Sequence, residues 1–114
     1  MQENTVWYPY EKGKTIGKPG PNNGKIIEDL EHIQGARVTT EVEQGEYFVT
    51  IAVESRLLFH SHYAETEENA RQFAADSKMR IEKLYEMLDV PKAQQDDAWL
   101  DAYDLLTNEI TEFQ

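Results

Sequence analysis

The chain has 114 residues, the size of one ordinary domain. Its 39% hydrophobic content, with two Trp, six Tyr and four Phe, suffices for one compact core and argues against disorder. It contains no cysteine, which excludes disulfides, thiolate nucleophiles and Cys-ligated metals and fits a cytoplasmic location. Net charge is −11, from 22 acidic and 11 basic side chains; a field of this sign repels nucleic acid and anionic membranes and attracts basic partners.

Residues 1–24 read as an irregular N-terminal arm. Met1 to Tyr10 lacks the basic and apolar regions of a signal peptide, so none is expected. Val6 to Tyr10 has the composition of a short edge strand, the only strand position Pro9 tolerates. Gly13, Gly17 and the run Lys18-Pro19-Gly20-Pro21-Asn22-Asn23-Gly24 then predict a mobile loop. A single α+β domain is expected over residues 25–114.

Lys25 to Ile33 reads as a strand with a bend. Ala36 to Glu43 alternates cleanly, with Ala36, Val38, Thr40 and Val42 on one face and Arg37, Thr39, Glu41 and Glu43 on the other. Gln44-Gly45-Glu46 is a hairpin-type loop. Tyr47 to Glu54 is rich in β-branched and aromatic residues, Ser55-Arg56 reads as a tight turn, and Leu57 to Tyr63 is the last strand. Thr66 is placed to cap a helix, with Glu67 and Glu68 in its first turn. Ala70, Phe73, Ala74, Ser77, Ile81, Leu84 and Leu88 share one face of it, and Pro91 ends it. Asp96 can cap a second helix, whose apolar stripe is Trp99, Ala102, Tyr103, Leu106, Ile110 and Phe113. Directly opposite lie Asp97, Asp101, Asp104, Asn108 and Glu112. Strands followed by helices predict an α+β fold: an antiparallel meander of three to five strands with two C-terminal helices packed on one face. The other face is left either wet or available for binding. No apolar run approaches the roughly 20 residues that cross a bilayer.

His60-Ser61-His62 is the best chemical candidate, because alternate strand residues share a face and two imidazoles can begin a metal site. Glu31 and His32 would have to add ligands. Against this, the pair lies opposite Leu57, Phe59 and Tyr63, which puts the histidines on the solvent side; two ligands are also short of a site. Neither a metal nor any other cofactor is therefore expected. Glu28, Asp29 and Glu31 form an acidic cluster that reads as a solvated face, and no serine has a nucleophile-elbow context. No set of residues amounts to a catalytic site. Trp7, Tyr8 and Tyr10 are either tucked against the domain or offered to a partner, with tucking favoured.

Glu31-His32, then Gly35-Ala36-Arg37-Val38-Thr39, a hydrophobic strand, and His60-Ser61-His62-Tyr63 leading into the Glu67-to-Leu88 helix resemble small bacterial proteins grouped with polymorphic-toxin immunity proteins. The resemblance covers roughly residues 24–88 and supplies no functional residues. It implies an antidote that binds and neutralises a toxin domain and catalyses nothing.

The reading that follows is a non-enzymatic acidic binding protein, an immunity or antitoxin-like inhibitor of a basic partner, with a homodimer left open. Asp97, Asp101, Asp104 and Glu112 are the first candidates for the binding face, since residues 93–114 carry no Lys or Arg. The second candidates are the free side of the sheet, around Arg37, Glu41, His60 and His62, and the aromatic arm at Trp7, Tyr8 and Tyr10. Two alternatives stand beside it: a small metal-dependent or ligand-binding enzyme using His60 and His62 with Glu31 and His32, and an acidic nucleic-acid mimic.

Overall fold

The computed structural model describes residues 6–53 and 58–111. Five strands lie in chain order in one antiparallel sheet: β1 (Trp7–Pro9), β2 (Lys25–His32), β3 (Arg37–Glu43), β4 (Glu46–Val53) and β5 (Leu58–Ala64). Two helices follow, α1 (Glu67–Leu88) against β3, β4 and β5, and α2 (Asp97–Thr111) against β5 and α1. The fold is α+β, with both helices on one face of the sheet.

Local chemistry accounts for the element boundaries. Gln44 (φ 52°) and Gly45 (φ 82°) are both left-handed, which makes a two-residue hairpin whose twist matches the flanking strands. The bend in β2 is an irregularity in its pairing with β3 between Ile26 and Glu28. Thr66 Oγ1 accepts a hydrogen bond from Asn69 N at 3.1 Å and caps α1, which ends before Pro91. Asp96 Oδ1 accepts one from Trp99 N at 3.0 Å and caps α2. The Ser55-Arg56 turn and Phe113 lie outside the described residues.

The core sits between the sheet and α1. Val38 of β3 and Val49, Ile51 and Val53 of β4 meet Ala70, Phe73, Ala74, Ile81 and Leu84. Each fully buried aliphatic side chain contributes about 1.5–3 kcal/mol, so this layer supplies most of the hydrophobic stabilisation. Leu106 and Ile110 of α2 close its flank. Trp99 and Tyr103 stack on each other, rings 5.1 Å apart, and Trp99 Nε1 donates to the Met87 carbonyl at 3.0 Å. Ala102, expected in the same stripe, is exposed.

The facing of β5 is the reverse of the one its hydrophobicity suggests. His60 and His62 point toward the helices, and Phe59 and Tyr63 point away, 66% and 45% exposed. Register is the cause. His60 lies opposite Ile51, His62 opposite Val49 and Leu58 opposite Val53, all core residues of β4, so the histidines must share the core face. His62 compensates by stacking on Phe73 at 4.0 Å.

Candidate functional site

The sheet face turned away from the helices carries three rows of side chains fixed by register. Tyr8, Glu31, Arg37, Ala52 and Phe59 form one row; Asp29, Thr39, Thr50 and Ser61 form the next; Glu41, Phe48 and Tyr63 belong to a third, with Ile26 beside them at the β2 irregularity. Residues 10–24 fold back across part of this face. They are irregular, as their Gly and Pro content dictates, and they are hydrogen-bonded to the sheet, with Gly17 N donating to the Ile26 carbonyl at 2.8 Å and Ile26 N to the Lys18 carbonyl at 2.9 Å.

Two buried carboxylates hold this segment. Glu41, 0% exposed, accepts Asn22 N (3.0 Å) and Gly24 N (2.8 Å) on Oε1 and Asn22 Nδ2 (3.0 Å) on Oε2. Asn22 Nδ2 also reaches Ser61 Oγ at 2.8 Å, beside a 3.0 Å contact between the Thr50 and Ser61 hydroxyls. Gly20 runs so close above Glu41 that a Cβ there would lie 2.8 Å from its Cδ. Asp29, 3% exposed, accepts four hydrogen bonds, from Thr15 Oγ1 (2.8 Å), Thr39 Oγ1 (2.9 Å), Arg37 Nε (2.9 Å) and Arg37 Nη2 (2.7 Å). The bidentate fork to Asp29 pushes the Arg37 pKa up, and the Tyr10 ring lies 3.7 Å from the guanidinium carbon. Asp29 and Glu41 are thus interior anchors, which corrects the solvated-face reading of the Glu28-Asp29-Glu31 cluster for Asp29.

Between this segment and the outer strands lies an open cleft of about 480 Å³. Tyr10 and Pro21 form its wall, Arg37, Thr39, Thr50 and Ala52 its floor, and Glu31 and Phe59 stand at its rim. Arg37 is a cation already matched to Asp29, the threonine hydroxyls are engaged with Asp29 and Ser61, and Glu31 is an exposed carboxylate. Such a lining can take an elongated or cationic side chain between aromatic faces, with Glu31 as its counter-charge.

The other candidates are scattered. Asp97, Asp101 and Asp104 are exposed on α2 and make no ion pair among the described residues; Glu112 lies outside them. The four residues taken as one group on the free side of the sheet divide. Arg37 and Glu41 are on that face, with Glu41 too deeply buried to touch a partner, whereas His60 and His62 are on the helix face. Burial pushes the His62 pKa down, and His60, 6.4 Å away, adds to the shift. His60 Nε2 is buried and has no hydrogen-bond partner among the described residues. The constellation of His60, His62, Glu31 and His32 is not assembled. β2 and β5 are separated by two strands, roughly 14 Å at the usual spacing, and Glu31 and His32 point to opposite faces. Among the described residues no three His, Cys, Asp or Glu side chains group as metal ligands would. His32 is buried between Trp7 and Tyr85, which pushes its pKa down against the pull of Glu82, and its Nδ1 accepts Gln34 N at 3.0 Å. Trp7 is tucked in, donating to Glu82 on α1 at 2.7 Å; Tyr10 is tucked over Arg37; Tyr8 is half exposed.

Sequence reasoning missed the cleft and its two carboxylate anchors. The available signal was Asp29 and Glu41 standing in strand-like stretches just after a Gly- and Asn-rich segment, whose bare backbone N–H groups need acceptors. No helix among the described residues is long and apolar enough to cross a membrane. Comparison of the chain with protein-family models, with curated proteins and with solved structures gives no match.

Proposed function

We propose that the chain is a non-enzymatic binding protein that grips a basic protein partner on the open face of its sheet, in the manner of the toxin-neutralising proteins its motifs resemble. The observation that carries this reading is the cleft. It pairs Tyr10 and Phe59 with the exposed carboxylate of Glu31, and its own cation is neutralised by a buried carboxylate. Aromatic side chains beside unmatched negative charge suit Arg or Lys side chains of a partner. Asp97, Asp101 and Asp104 act at longer range, steering a basic surface inward with the rest of the −11 charge.

The test begins from the genes flanking this one, read for a secreted protein with a basic, toxin-like C-terminal domain. That domain, catalytically inactivated, is titrated against the wild type, Glu31→Lys, Ala52→Leu and the Asp97→Asn/Asp101→Asn/Asp104→Asn triple variant. The cleft variants are expected to weaken binding at least tenfold through faster dissociation. The triple variant is expected to slow association, most visibly at low salt. Cleft variants that bind like the wild type would refute the assignment of the face, and a basic domain that does not bind would refute the partner.

A further inference from the structure

The two edges of the sheet are built differently. β1 is three residues long, contains Pro9, and is held to α1 by Trp7. Those are the features by which natural sheets blunt an edge. At the other edge, β5 runs seven residues, about 24 Å, in unbroken register with β4, from Tyr47↔Ala64 to Val53↔Leu58. It has no Pro, Gly, Lys or bulge, and among the described residues no strand covers its outer side. In a chain of net charge −11, Leu58–Ala64 carries no Asp, Glu, Lys or Arg. Electrostatic attraction to a basic partner therefore has little hold on this edge.

The strand is complementary to itself. Set antiparallel to its own copy with Ser61 on the two-fold axis, it places Phe59 opposite Tyr63 of the second copy, and Tyr63 opposite that copy's Phe59. Leu58 then faces Ala64, and the small Ser61 faces itself. Phe59 and Tyr63 are the two large side chains that β5 leaves exposed on the open face. Tyr63 already packs edge-on against Phe48, rings 5.6 Å apart. Pairing would extend that contact into a ribbon of Phe48, Tyr63 and the second copy's Phe59 on each side of the axis. Aromatic cross-strand pairs stabilise a sheet beyond their backbone hydrogen bonds.

We infer that the chain forms a symmetric dimer through β5, joining two five-stranded sheets into one ten-stranded sheet with Phe59 opposite Tyr63 across the two-fold. Both copies are strongly acidic, so screening by salt strengthens the dimer. An acidic chain on a basic partner shows the opposite dependence, which separates this inference from the proposed function.

The test is sedimentation velocity on the full chain between 5 and 200 µM, at about 50 and 500 mM NaCl, with wild type, Phe59→Lys, Tyr63→Glu and the double variant Phe59→Lys/Tyr63→Glu. Circular dichroism and thermal melts confirm that each variant folds, which is expected because both side chains are exposed. The wild type is expected to move from 13.2 kDa toward twice that mass with concentration, more readily at high salt. Each single variant is expected to weaken association at least tenfold. The double variant, which sets Lys against Glu twice in this register alone, is expected to recover it and to lose it again at high salt. A wild type that stays monomeric to 200 µM overturns the inference, as do single variants that associate normally or a double variant that stays monomeric.

Discussion

Removing the Glu41 carboxylate is expected to be the most damaging small change on the open face. Two backbone N–H groups depend on the carboxylate, that of the buried Gly24 on Oε1 and that of Asn22 shared between Oε1 and Oε2, and the Asn22 side chain depends on Oε2. In Glu41→Ala both amides lose their acceptor. Each buried donor left unsatisfied costs about 1–3 kcal/mol, and the emptied volume adds to that, giving about 3–5 kcal/mol in all. In Glu41→Gln one oxygen can still receive both backbone donors. The new NH₂ would face Asn22 Nδ2, but the Asn22 amide can turn over, because the Thr50 and Ser61 hydroxyls it touches can donate as well as accept. What remains lost is the charge assistance, roughly 1–2 kcal/mol over the set. For a domain of this size these figures correspond to melting points lowered by roughly 12–20 °C and 4–8 °C. Urea unfolding at pH 7 and low protein concentration measures both; hydrogen exchange at Asn22 and Gly24 locates the effect. A Glu41→Ala cost below about 1 kcal/mol with an unchanged denaturant slope would refute the anchoring role. Because Pro21 forms part of the cleft wall, Glu41→Ala is also expected to weaken partner binding without touching the partner.

Three further outcomes are expected. Gly20→Ala, whose new Cβ would lie 2.8 Å from the Glu41 carboxyl carbon, should destabilise the same anchor; combined with Glu41→Ala it should cost less than the sum, by at least about 0.5 kcal/mol, in a double-mutant cycle of urea melts. The folded-state pKa of His62, like that of His32, lies below the ordinary 6.5, so the unfolded chain binds more protons between the two values. The stability this gives is fully present above about pH 6.5 and is lost as pH falls through the folded value. Urea melts at pH 7.5, 6 and 5 should therefore show a shallower acid loss for His62→Phe than for the wild type, and equal slopes would count against the buried neutral imidazole. In the Asp97→Asn/Asp101→Asn/Asp104→Asn variant, relief of two like-charge pairs gains a few tenths of a kcal/mol each. Losing Asp97 from the first turn of α2 gives up about as much, so stability should stay within roughly 0.5 kcal/mol of wild type; a larger loss in a thermal melt would mean these carboxylates hold the helix in place.

The amino-acid sequence by itself determined the features whose causes are local. Thr66 and Asp96 cap the helices they precede, Gln44-Gly45 turns the central hairpin, Pro91 lies just beyond the end of α1, and period-2 and period-3.6 patterns separate strands from helices. Each depends on side chains within a few residues of one another, so composition and spacing suffice to predict them. Alternation in β5 likewise divided its side chains into two sets. Which set faces the core was decided elsewhere, because pairing with β4 sets His60 opposite Ile51 and His62 opposite Val49 and carries the histidines inward, whatever the hydrophobicity of Phe59 and Tyr63. Burial of Asp29 and Glu41 was equally beyond local reading. Both lie on the sheet face away from the core, and they are covered only because residues 10–24, carrying Thr15, Asn22 and Gly24, fold back across it. The cleft is the space that folded segment leaves, lined by the arm and four strands, and it exists only once tertiary contacts bring them to one surface.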